Sequence, residues 1–81
     1  MGKRILVADD SVTIQHAFSM VFGGQDVTLV AARSVDEAVL AARANRPDLV
    51  IADAALGSRT GYELCSTLKA DPGLKGVPVY I

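Results

Sequence analysis

Hydrophobic and polar positions follow two alternating periods along this chain. Residues 5–8, Ile-Leu-Val-Ala, form a continuous apolar run, the pattern of a strand buried on both faces. The run stops at Asp9-Asp10-Ser11, where Ser11 is a suitable helix N-cap. Ile14, Ala17, Phe18, Val21 and Phe22 then fall at i, i+3, i+4, i+7 and i+8, the stripe of an amphipathic helix. Gly23-Gly24 is its predicted end. Residues 26–32 carry Val27, Leu29, Val30 and Ala31 and predict a second strand. Ser34-Val35-Asp36-Glu37 is a capping box, and Val35, Ala38, Val39 and Ala42 form the next stripe. Asn45-Arg46-Pro47 breaks it, because the residue before proline is pushed out of the helical region. Residues 49–52 predict a third buried strand ending at Asp53. Residues 54–60 read as a loop, and Thr60-Gly61-Tyr62-Glu63 is a second capping box. Leu64, Cys65 and Leu68 give a third stripe, Asp71-Pro72-Gly73 is turn chemistry, and Val77-Pro78-Val79-Tyr80-Ile81 is the predicted fourth strand.

The predicted order is β-α-β-α-β-α-β. Alternation of this kind specifies an α/β fold, a doubly wound parallel sheet with helices on both faces. Ligands of such sheets bind beyond the carboxyl ends of the strands, where the strand order reverses. The first strand ends in Asp9 and Asp10 and the third in Asp53. In the common order 2-1-3-4 these strands are neighbours, so three carboxylates are expected to converge. Like charges in close quarters favour a bound proton or a cation. Ligands that are all oxygens favour a hard cation, most simply Mg2+, which often bridges carboxylate and phosphate. An aspartate can itself accept a phosphoryl group as an acyl phosphate. A plainer reading stands beside this one. Acids at strand ends also form turns and cap helices, and Asp10 is available to cap the first helix.

Composition narrows the class. Eighty-one residues allow one domain, residues 1–81, and 51% hydrophobic content excludes a disordered chain. A folded monomer of this mass exposes roughly 4,700 Å², close to the low end for independent folding. A single Cys excludes an internal disulfide. The net charge of −1 carries no electrostatic footprint for nucleic acid or an anionic membrane. No apolar run approaches the length of a membrane span. Asp9-Asp10 interrupts the only apolar run near the N-terminus, so no signal peptide is read and a cytoplasmic location is expected.

Four segments then resemble a known family: Ile5-Leu6-Val7-Ala8-Asp9-Asp10-Ser11, Arg46-Pro47-Asp48-Leu49-Val50-Ile51-Ala52-Asp53, Gly61-Tyr62-Glu63-Leu64-Cys65 and Val77-Pro78-Val79-Tyr80-Ile81. In this order and spacing they resemble the receiver domain of two-component response regulators, from Lys3 to Ile81. The resemblance implies a flavodoxin-like fold and a signalling module rather than an enzyme. It implies Asp53 as the phosphoacceptor, supplied by a histidine kinase, and Mg2+ as the cofactor. Asp10 matches the direct metal ligand, Asp9 the acid that reaches the metal through water, and Ala55 the residue whose backbone carbonyl binds it. Gly61 matches the glycine that opens the third helix.

The chain also departs from that pattern. Gly57 stands where the family usually has proline, which is expected to loosen the loop. Leu56 stands where methionine is frequent. The family continues past its fourth strand with a Ser or Thr, a fourth helix, a fifth strand ending in Lys and a fifth helix. The sequence is therefore read as a C-terminally truncated receiver, lacking the fifth strand and fifth helix. Slow phosphorylation is expected, or an atypical receiver serving as a dimerisation or interaction module without phosphorylation. An excised fragment of a longer regulator is a third reading. A homodimer is expected through residues 77–81, an exposed strand edge, and the sheet face left uncovered beside it.

The remaining candidates read as structural. His16 lies off the apolar stripe with no second His to share a metal, and Cys65 reads as a small buried hydrophobe. Gly23-Gly24 lacks the pattern of a dinucleotide loop, and Asp9-Asp10 is wrong for an FMN phosphate loop. Lys3, Arg4, Arg43, Arg46, Arg59, Lys69 and Lys75 read as scattered and solvated.

Overall fold

The computed structural model describes residues 2–23 and 26–81. The elements run β1 (Lys3–Ala8), α1 (Val12–Phe22), β2 (Val27–Ala32), α2 (Val35–Ala44), β3 (Leu49–Ala52), β4 (Ala55–Leu56), β5 (Arg59–Thr60), α3 (Gly61–Ala70) and β6 (Val79–Tyr80). The main sheet has the order β2-β1-β3-β6, all parallel. This is the expected 2-1-3-4 arrangement.

Three side chains set the helix starts. Ser11 Oγ accepts from Ile14 N at 3.3 Å, Ser34 Oγ from Glu37 N at 3.1 Å, and Thr60 Oγ1 from Glu63 N at 3.1 Å. Each satisfies an N–H that has no partner in the first helical turn. Gly23 follows α1 in an extended conformation. Gly24, the other half of the predicted stop, lies outside the described residues.

Register places the core. Leu6 lies level with Val30 and Val50, and Ala8 with Ala32 and Ala52. Alternation puts these rows on one face of the sheet. That face is closed by Val35, Ala38 and Ala42 of α2 and by Leu64 and Leu68 of α3, with Leu74 and Val77 at the edge, all buried. The small residues bring helix and sheet close together.

The opposite face is different. Ile5 and Val7 are buried there, but Ile51 is only half-buried. Helix α1, which crosses this side against β2, has no buried residue at all. Ile14 is 41% and Val21 66% exposed, although both belong to the stripe that reads as core-facing. The reason is dimensional. A helix is about 10–12 Å across with its side chains, whereas four strands at about 4.8 Å spacing span about 14 Å between their outer axes. One helix leaves part of that face bare, and α1 itself packs mainly against β2, so its stripe is only partly covered. Phe18 and Phe22 stack on each other, with ring centroids 6.2 Å apart.

Three further expectations are corrected. Residues 54–60 are not a plain loop but contain the antiparallel pair β4–β5, with Ala55 opposite Thr60 and Leu56 opposite Arg59. The last strand is shorter than residues 77–81, because only Val79 and Tyr80 pair with β3. Cys65 is half-buried rather than buried, because α3 directs Leu64 and Leu68 into the core.

Candidate metal centre

The carboxyl ends of β1 and β3 are tied together through the backbone. Asp53 N donates to Ala8 O and Asp9 N to Ala32 O, both at 2.9 Å. The acids that follow these strands therefore leave the sheet from one corner. Asp9, Asp10 and Asp53 each offer a carboxylate oxygen there, and the three atoms lie within 4.8 Å of one another. Asp9 is buried, whereas Asp10 and Asp53 are exposed.

Each carboxylate accepts one backbone N–H. Asp9 Oδ1 takes Ser11 N at 2.8 Å, Asp53 Oδ1 takes Ala55 N at 3.3 Å, and Asp10 Oδ2 takes Gly57 N at 3.0 Å. The first two are local turns two residues long. They bear out the turn-forming part of the plainer reading for Asp9 and Asp53. The third spans 47 residues, and Asp10 does not cap α1, since Ser11 does. An ionised carboxylate has about four lone-pair sites, so one N–H leaves capacity for a cation. Twice a Mg–O bond is about 4.2 Å. Atoms gathered within 4.8 Å can share one such ion after a small side-chain adjustment, or with one acid acting through water. The donor set, oxygen only and anionic, fits a hard divalent cation.

Ala55, expected to offer its carbonyl, opens β4 two residues past Asp53 and is exposed. Gly61 N donates to Ala54 O at 3.1 Å, and a Cβ at Gly61 would collide with the carbonyl oxygen of Asp53. Helix α3 can start this close to Asp53 only because Gly61 has no side chain.

Several residues around the corner are not legible as site residues from their neighbours in sequence. Gln15 Nε2 lies 3.0 Å from Val7 O, 3.1 Å from Asp9 O and 3.2 Å from Ala32 O, so its amide ties α1 to the ends of β1 and β2. Arg33 Nη2 reaches the carbonyl of Asp10 at 3.4 Å and is a cation at this end of the sheet. Arg59, expected to be merely solvated, bonds Glu63 at 2.9 Å and Asp36 at 3.0 Å. The Glu63 hydrogen bond, with the charges of Glu63 and Asp36, holds the Arg59 guanidinium above its ordinary range. Arg59 thus links the β4–β5 hairpin to α2 and α3. Arg43 likewise pairs with Asp71 at 3.2 Å, and Arg46 Nε donates to Gly73 O at 3.0 Å.

The hairpin had a signal in the sequence. Gly57-Ser58 is a two-residue connection with a small residue at each position. Gly57 has a φ of +65° while Ser58 does not have a positive φ. That combination matches turns with glycine at the first central position.

Known proteins share this fold. The family model described as the response regulator receiver domain matches residues 5–81. The chain is 34% identical over 74 residues to the DNA-binding response regulator MtrA of Mycolicibacterium paratuberculosis, covering 91% of this chain and 33% of that protein. It therefore spans about a third of the length of that curated relative. Among solved structures, the N-terminal domain of a response regulator receiver protein from Methanoculleus marisnigri JR1 superposes with a TM-score of 0.88. The identity is 33%, over 94% of this chain and 62% of that one. The Mn2+-bound form of the response regulator Rcp1 superposes with a TM-score of 0.84 at 27% identity, over 95% of this chain and 62% of that one.

Proposed function

The chain belongs to the response regulator receiver domain family, and on that premise we propose that it accepts a phosphoryl group on Asp53 from a histidine kinase. The observation that carries this reading is the convergence of Asp9, Asp10 and Asp53 at one corner of the sheet. Residues 1–81 act in this reading as one receiver unit, a signalling module rather than an enzyme with turnover of its own.

Asp10 and Asp53 would hold the cation directly, Asp9 through water, and the Ala55 carbonyl would complete the protein's share. That a response regulator of the same fold is known in a Mn2+-bound form supports a divalent ion as the ligand. When bound, Mg2+ supplies positive charge that offsets the developing charge on the transferring oxygens. The exposed Asp53 carboxylate is open to a donor. One of its oxygens bonds to phosphorus as the donor's N–P bond breaks, and the electron pair leaves on the imidazole nitrogen. The product is an acyl phosphate on Asp53. The hydrogen bond from Ala55 N to Asp53 Oδ1 orients the carboxylate and leaves Oδ2 for that attack.

The near-neutral charge balance supports a module that contacts protein rather than nucleic acid. The DNA binding in the relative's name belongs to a protein three times as long. Among the described residues no helix is long and apolar enough to cross a membrane, and a cytoplasmic site of action fits a kinase partner.

Intact-mass measurement after incubation with a small-molecule phosphodonor and Mg2+ tests the reading. A gain of one phosphoryl group in the wild type and none in Asp53→Asn is expected. No Asp53-dependent gain would remove the phosphoacceptor role.

A second reading rests on a different observation. Exposed Ile14, Met20 and Val21 on α1, with β6 the edge strand among the described residues, suit a self-association surface. We propose a homodimer that covers α1 and residues 77–81, compatible with an interaction role whether or not Asp53 is phosphorylated.

A further inference from the structure

Gly57 sits at the tip of the β4–β5 hairpin, four residues beyond Asp53. In a two-residue turn the N–H of the first central residue is not used by the strand pair. Gly57 directs this N–H onto Asp10 Oδ2 at 3.0 Å, across 47 residues of sequence. Its φ of +65° is one that glycine adopts without steric cost. The hairpin itself is anchored, since Leu56 is 3% exposed and belongs to the core, and Arg59 ties it to Asp36 and Glu63.

Asp10 needs such a hold. It is exposed and shares a corner with two other carboxylates. Repulsion favours rotation of its side chain into water. Asp9 and Asp53 are each held by a local N–H, whereas the N–H on the Asp10 carboxylate comes from the hairpin. We infer that Gly57 is a positioning residue for the cation site, its N–H holding the Asp10 carboxylate inside the acid cluster before the cation arrives. The expectation that glycine here loosens the loop is thereby reversed, because the conformation that only glycine adopts easily is the one that makes the tie. The inference rests on the cation reading above and adds to it the part played by the hairpin.

Amide NMR of the 81-residue chain tests it in two arms. In the metal-free arm, Asp10→Ala should shift the Gly57 amide resonance well beyond the shift caused by Asp53→Asn. In the second arm, Mg2+ is titrated into wild type, Gly57→Pro and Gly57→Asn. Proline lacks the N–H and fixes φ near −65°. Asparagine keeps the N–H and is, after glycine, among the residues best tolerated at positive φ. A Cβ at residue 57 meets no neighbour, so the substitution strains the turn backbone but clashes with nothing. Loss of a group that orients a metal ligand typically weakens binding by about tenfold or more. We expect about that loss in Gly57→Pro and a clearly smaller loss in Gly57→Asn, which strains the turn but keeps the N–H, with amide shifts outside the hairpin unchanged. Equal affinity in Gly57→Pro and wild type, or a Gly57 amide indifferent to Asp10→Ala, would overturn the inference and leave the cation site standing. A wild-type chain with no Mg2+-dependent shifts would overturn the cation reading itself, and the inference with it. Should Gly57→Pro fail to fold, the metal-free arm still decides.

Discussion

Lys69 Nζ donates to the carbonyl oxygen of Val77 at 2.7 Å and to that of Lys75 at 3.1 Å. One ammonium from the last turn of α3 thus gathers the segment that leads into β6. Charge-assisted bonds of this length contribute more than neutral ones. Lys69→Met keeps the stem and removes the donor. It should lower unfolding stability by about 1–2 kcal/mol. Urea titration would show a lower midpoint at unchanged slope, and an unchanged midpoint would mean that water replaces the ammonium without loss.

A cation that binds only the folded chain stabilises it by mass action. At ten times its dissociation constant, Mg2+ should add about 1.4 kcal/mol to unfolding stability. Thermal melts with and without Mg2+ would show this as a rise in midpoint. Asp10→Asn and Asp53→Asn should each abolish most of the rise, since each removes one charged ligand from the cluster. A rise that survives both substitutions would place the ion elsewhere.

Gly61→Ala places a methyl group against the carbonyl of Asp53. That neighbour is backbone and cannot rotate away, so α3 or β3 must shift. Overpacking of this kind costs about 1–3 kcal/mol. The same shift moves Asp53, so Mg2+ affinity and unfolding midpoint should fall together. A stable variant with intact Mg2+ binding would show that α3 can move independently of Asp53.

Sedimentation velocity tests the self-association surface. The wild type should form a dimer at tens of micromolar, and Ile14→Glu with Val21→Glu should be monomeric with an unchanged circular dichroism spectrum. Both positions are exposed in the single chain, so charge there should not disturb the core. A monomeric wild type at high micromolar concentration would sink the dimer.

Much of this was legible in the residues themselves, for a physical reason. Residues 5–8 and 49–52 are short apolar runs that each stop at an acid, and runs this short fit inner strands of a parallel sheet better than helices. Caps at Ser11, Ser34 and Thr60 act within three residues, so local sequence suffices to place them. The convergence of Asp9, Asp10 and Asp53 followed from strand order alone. Non-local relationships were not legible in this way. Nothing near Gly57 indicates that its N–H meets Asp10, and nothing near Gln15 indicates three carbonyls. A 3.6-residue stripe identifies α1 as a helix but does not say whether anything lies over it, which is why Ile14 and Val21 read as core and stand exposed.

The pairing of Ala8 with Ala52 works as a ruler. A slip of β3 by one residue against β1 would carry Asp53 about 3.3 Å along the sheet. The same slip would turn Val50 and Ala52 away from Leu64 and Leu68 and bring Ile51 inward, since side chains alternate with every residue. A sheet slipped by one residue can therefore neither keep its core and lose its acid corner nor keep the corner and lose the core. Proofreading of the fold and proofreading of the site are one event, completed when β3 locks beside β1.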